Sequence, residues 1–211
     1  MKKIDKKTLI LSSIVTLIPL VIGCMLWEQL PDVIPTHFGM DGTPDGWSSK
    51  TFTVFGLPLI MLFSHLLCIG ITTQDPKYDN MSEKLFGLIV WLIPVISLLV
   101  VVVSYGGALG WDVNISKYAV AGTGILFVII GNYLPKCKQN YTMGIKLPWT
   151  LDNEENWNKT HRLAGFLWVV GGLAMTVNAF LGSEWILIAI IIMMTFVPTV
   201  YSFLYFKKNK K

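Results

Sequence analysis

Six apolar runs, each long enough to cross a bilayer, constrain this chain more than any other feature: Thr8–Trp27, Thr51–Ile71, Leu85–Ala108, Tyr118–Leu134, Leu163–Leu181 and Trp185–Phe206. As helices, about 20 mainly apolar residues cover the roughly 30 Å of hydrocarbon in a membrane. With 53% of residues hydrophobic and only 14% charged, little polar sequence remains from which to build a soluble domain. The sequence predicts an all-α, polytopic integral membrane protein: one domain over residues 1–211, six transmembrane helices, and two structured loops at 28–50 and 135–162.

The cations set an expected orientation. With the N-terminus in the cytoplasm, all of the 17 basic residues except Lys50 and Lys117 fall on the inner side. The positive-inside rule then places both termini in the cytoplasm. The net charge of +4 follows from this topology and implies no direct contact with nucleic acid. Trp27, Trp47, Trp111 and Trp185 fall near the outer boundary, and Trp91, Trp149 and Trp157 near the inner one, as interfacial anchors do. A Lys-rich start before an apolar run, with Val21-Ile22-Gly23-Cys24, is also the pattern of a cleaved secretory signal. The run is long enough to span and continues past Cys24 into Trp27, which favours a retained helix. Cys24 and Cys68 lie in predicted spans and Cys137 at the inner face, so free thiols are expected. Pro19, Pro58, Pro94 and Pro198 stand inside predicted helices, where each removes a backbone donor and bends the helix.

The loop from Glu28 to Lys50 reads as a compact outer lid with two consecutive turns, one at Asp41-Gly42 and one at Pro44-Asp45-Gly46. Ser48 or Ser49 is placed to cap the second helix. His37, Asp41, Asp45 and Trp47 are its candidate ligand-binding residues. Imidazole and carboxylates at short spacing can converge on a divalent ion, but too few ligands are present for a recognised zinc or calcium pattern. Turn chemistry alone explains the DG pairs, so a metal is not expected.

The passage Gly131–Arg162 is dense in Pro, Trp, Asn and cations between two apolar runs, which locates function at the inner face. Asn132 precedes Pro135, which ends the fourth helix or turns it along the interface. Lys136, Lys138 and Lys146 can reach lipid phosphates, and Tyr141 and Trp149 can settle among headgroups. Asp152 and Glu155 have capping-box spacing, so a new helix is expected to begin near Asn153 and to enter the membrane at Leu163. On that helix Trp157 and His161 share a face, as do Asn158 and Arg162. Glu154, Glu155, Asn158, His161 and Arg162 are expected to cluster at the mouth of the bundle. A carboxylate–histidine cluster can do acid/base chemistry, but HExxH, a Ser/His/Asp order and paired intramembrane aspartates are all missing from the sequence, so no catalytic residue is assigned. His65, deep in the second span, is the clear intramembrane ionisable side chain and a functional candidate for that reason, and Asn132 in the fourth span is the other intramembrane polar candidate.

The outer IPTHFGMDGTPDGW and the inner GNYLPKCKQNYTMGIKLPWTLDNEENWNKTHR resemble the SdpI family of bacterial membrane proteins. The inner motif is the more specific, notably in Gly131, Asn132, Asn140, Tyr141, Gly144, Ile145, Pro148, Trp149, Thr150, Leu151, Trp157, His161 and Arg162. The resemblance implies a membrane immunity protein, neither enzyme nor cofactor carrier, that protects its cell from a secreted antimicrobial peptide of the sporulation-delaying type. In the family's best known member it also implies signalling, by recruitment of a cytoplasmic ArsR-type repressor to the membrane. Expected partners are thus membrane lipid, the peptide and the repressor. Asn140, Gly144, Lys146, Pro148, Trp149, Thr150, Glu155, Trp157, His161 and Arg162 are the candidate partner-binding residues. The alternative reading is a small membrane transporter or transport accessory protein, with His65 and the inner cluster lining its path.

Overall fold

The computed structural model describes residues 4–39, 42–111 and 114–209. Six helices among them are long and apolar enough to cross a membrane, as expected: α1 (Lys6–Met25), α2 (Phe52–Thr73, with a π-helical first turn at Phe52–Gly56), α3 (Glu83–Ala108), α4 (Ile115–Tyr133), α6 (Glu154–Leu181) and α7 (Glu184–Asn209). The short α5 (Pro148–Asp152) lies between α4 and α6. Large apolar side chains such as Phe63, Phe166, Phe180 and Trp185 are more than half exposed. In water they would form adhesive patches, whereas lipid covers them without cost. Asp5 caps α1 by accepting the Thr8 N–H at 3.3 Å, so this helix starts two residues before the apolar run does.

Pro19, Pro94 and Pro198 stand inside α1, α3 and α7 as expected. Pro58 is also internal to the second helix, two residues after its π-helical turn. Without an N–H it cannot bond four residues back. The wider turn before it, in which the Leu57 N–H bonds Phe52 O, takes up the irregularity.

The chain packs as two compact units. The first comprises Met1–Ile71 and Gly87–Ala119. Its core is Leu30, Ile34, Val54, Val101 and Tyr105. An antiparallel hairpin of β1 (Val33–Phe38) and β2 (Pro44–Ser49) follows α1. Residue 42 of its turn is Gly at φ 87°, a backbone state that suits glycine. Pro44-Asp45-Gly46 is therefore strand and makes no second turn. Gly46 pairs with His37, whose Cβ would stand 2.9 Å from any Cβ at residue 46. Pro44 opens its strand, a position where a missing N–H is tolerated. Ser49 Oγ accepts the Phe52 N–H at 3.3 Å, the cap expected for the second helix.

The second unit comprises Thr72–Phe86 and Val120–Lys211. Here α4 and α6 touch backbone to backbone. A Cβ at Gly172 would lie 2.5 Å from Gly124 O, and one at Gly165 would lie 2.7 Å from Gly131 O. Against α7, Gly171 makes room for Met194, and Trp168 Nε1 donates to Met194 O at 3.0 Å. Gly182, at φ 71°, ends α6.

A locked loop between α4 and α6

Residues 137–147 carry almost no regular secondary structure, so side chains must satisfy their backbone groups. Asn140 is fully buried and does much of this. Its Oδ1 accepts the N–H groups of Thr142 (2.9 Å) and Met143 (2.7 Å), while its Nδ2 donates to Lys138 O at 2.8 Å and approaches Cys137 Sγ at 3.2 Å. Burial pushes the Cys137 thiol up to about 11, with the Asn140 amide partly opposing the shift. The thiol thus stays protonated and poorly nucleophilic at neutral pH.

Trp157 and His161, one turn apart on α6, close the loop from the other side. Their rings stack with centroids 4.0 Å apart. Trp157 Nε1 donates to Cys137 O at 2.7 Å. His161 Nε2 accepts the Ile145 N–H at 2.9 Å, and Nδ1 lies 2.8 Å from Trp157 O. A neutral imidazole with its proton on Nδ1 satisfies both contacts. Gly144, at φ 116°, lies against both rings, and a methyl there would run into His161 Nε2. Thr150 Oγ1 accepts the Leu147 N–H at 2.9 Å and reaches Ile145 O at 2.7 Å, which starts α5 beside Pro148. Trp149 Nε1 donates to Ser202 Oγ of α7 at 2.9 Å, with its ring against Phe203 and Phe206.

The α2–α3 connector supplies a residue that sequence reasoning missed. Asp75, 7% exposed, accepts the Tyr141 N–H at 2.8 Å and the Thr142 hydroxyl at 2.6 Å through Oδ2, and the Lys77 N–H at 2.8 Å through Oδ1. Lys77 Nζ meets Gln139 Oε1, and Gln139 Nε2 donates to Leu151 O at 2.8 Å. The signal was present as a DP pair in a short polar connector, but nothing local ties it to residues more than sixty positions away.

Several expectations change. The α6 cap is Asn153, whose side chain accepts the Asn156 N–H at 2.8 Å, in place of Asp152. The predicted mouth cluster does not assemble around His161, which is turned into the loop and buried, while Glu154, Glu155, Asn158 and Arg162 are exposed. Glu155 instead pairs with Lys159 at 2.9 Å. Trp157, 0% exposed, is a core residue and no interfacial anchor. Lys146 is exposed but its Nζ holds the carbonyls of Tyr141 (3.1 Å) and Thr142 (2.9 Å). Asn132 is exposed on α4. In the hairpin, His37 Nδ1 meets Asp45 Oδ1 and Trp47 is 57% exposed; Asp41 lies outside the described residues. His65 is fully buried, with Nε2 2.9 Å from Ser12 Oγ.

Residues 136–202, from the start of this loop into α7, match the SdpI/YfhL protein family. Residues 14–62 match a family described as a domain of unknown function, DUF1648. Over 206 residues the chain is 27% identical to the Immunity protein SdpI of Bacillus subtilis (strain 168), covering 94% of this chain and 96% of that one. No solved structure matches. The direct match is centred on the locked loop and its two following helices, and the likeness to the Bacillus protein runs along nearly the full length of both chains.

Proposed function

We propose that this chain is an immunity protein of the bacterial cell membrane, which lets its host survive a secreted antimicrobial peptide of the sporulation-delaying type. The observation that carries the reading is the near full-length likeness to an immunity protein. Both termini are cytoplasmic in this proposal, the hairpin faces the peptide outside, and the locked loop faces the cytoplasm. No bond-making step is assigned, because the ionisable groups of the loop are spent on holding backbone. His161, Asp75 and Lys146 are all engaged in this way. A surface held this rigidly suits docking of a protein partner, and an ArsR-type repressor is the one proposed. Pro148, Glu155 and Arg162, with Lys138, are its exposed candidates.

Expression in a peptide-sensitive Gram-positive host tests the proposal. Tolerance should rise with the wild-type chain and fall with Trp149→Ala or Arg162→Ala, but not with Lys208→Ala in the terminal turn of α7. Unchanged sensitivity across several related peptides, with the protein confirmed in the membrane, sinks the immunity reading. Repressor recruitment is read separately by co-purification. Lys138→Glu is the suitable charge reversal, since Lys146→Glu would also release two loop carbonyls. Equal recovery of a candidate repressor with wild type and Lys138→Glu argues against docking at this cation.

A further inference from the structure

His65 sits in the middle of α2 with none of its surface exposed. An ionisable group at that depth needs partners. Its Nε2 has Ser12 Oγ of α1 at 2.9 Å, and the same hydroxyl lies 3.1 Å from Leu9 O. A hydroxyl has one hydrogen to give and two lone pairs. All three groups are satisfied when Ser12 donates to Leu9 O and accepts from Nε2–H of a neutral imidazole. Nδ1 is then an acceptor that no described protein group reaches. The opposite assignment leaves an orphan N–H on Nδ1, and a buried donor left unmet is costly. Under either assignment this nitrogen calls for a small polar ligand.

The polarity continues along α1. Thr16 donates to Ser12 O at 2.8 Å, and Ser97 of α3 donates to Thr16 O at 2.9 Å. Ser97 then joins Thr53, Ser104 and Tyr105, among otherwise apolar residues such as Met61 and Val101, in lining a partly open pocket of about 10 Å³ bounded by Pro19 and Pro58. The hydroxyl-bearing residues among these are at most 4% exposed, and the Tyr105 hydroxyl donates to Pro19 O at 3.2 Å. A cavity near this size admits one water, which needs two to four polar partners; apolar cavities stay dry. At the hairpin end, Thr53 Oγ1 donates to Ser49 O at 3.1 Å, where β2 meets α2. The seam thus connects the strand end to the interior of the helices.

We propose that this seam binds water inside the membrane, one molecule in the cavity among the hydroxyls of Thr53, Ser97, Ser104 and Tyr105, and another donating to His65 Nδ1. The proposal is independent of immunity, since it concerns what fills the seam and not what the protein protects against.

Solid-state NMR of the full chain in lipid vesicles, with labelled histidine, serine and phenylalanine, tests it. The chain has 3 histidines, and His65→Gln and His37→Gln assign their signals, with His161 as the remainder. The expected result is an Nε2–H tautomer at His65, opposite to that of His161, with a hydrogen-bonded Nδ1. Magnetisation from water should reach the His65 ring and Ser97 at least threefold faster than it reaches Phe63, a lipid-exposed residue of the same helix. The double variant Ser97→Ala/Ser104→Ala should slow transfer to His65. Transfer to His65 no faster than to Phe63 in the wild-type protein overturns the proposal, and this arm needs no variant to fold.

Discussion

At Gly144 a single hydrogen atom keeps the loop closed. Its φ of 116° is one that side-chain-bearing residues rarely adopt, and the space a Cβ would take belongs to His161 Nε2 and the Trp157 ring. Gly144→Ala should therefore combine backbone strain with a clash and cost about 2–4 kcal/mol. Gly87→Ala is the contrast. It lies in α3 with nothing within 4 Å of the added methyl, and the gain in helix propensity should leave stability equal or raised by up to ~1 kcal/mol. Thermal unfolding in the same detergent reads both. Equal midpoints for the two variants would mean that the loop yields at residue 144. The residues around Gly144 were legible in part: Trp157 and His161 share a face as their i, i+4 spacing says, but the sequence reading sent that face to the interface. Trp carries an apolar body and a single donor, so an interfacial and a buried place suit it equally. The carbonyl of Cys137 decides between them, and that contact is invisible locally.

At the scale of helices, apolar length alone located all six spans, because hydrocarbon thickness sets a ruler that sequence can be held against. Packing was less legible. Gly124 and Gly131 on α4, and Gly165 and Gly172 on α6, stand seven residues apart on both helices, a repeat that could have been read as a crossing of two small-residue faces. In a membrane, where lipid is as apolar as leucine, such close approach is a main source of helix association. Gly172→Val should push α4 and α6 apart and lower the yield of monodisperse protein in mild detergent several-fold. Val177→Ala on the lipid-exposed surface of α6 should leave it unchanged. Equal yields would show that the crossing tolerates widening. The hairpin was misread for a related reason. Pro-Asp-Gly is a strong turn signal, yet Gly46 is needed opposite His37 and Pro44 is tolerated at a strand start. Pairing across the hairpin therefore overrode the local signal.

For the whole molecule, the proposed orientation rests on charge and not on packing. Each cation left on the outer side must be translocated, and the bias in short loops fixes which way a chain inserts. With an even number of spans the termini share a side. The hairpin after the first span and the locked loop after the fourth then open to opposite sides. Single-cysteine labelling gives a direct reading once Cys24, Cys68 and Cys137 are replaced by alanine. Asp45→Cys, on the exposed part of β2, should react with a membrane-impermeant maleimide in intact cells. Glu154→Cys, in the exposed first turn of α6, should react only after permeabilisation. The reverse pattern would place the locked loop outside, removing repressor docking while leaving the loop's geometry untouched. Labelling of both residues in intact cells would mean that the number of membrane crossings between them is even, against the assignment of α2, α3 and α4 as three spans.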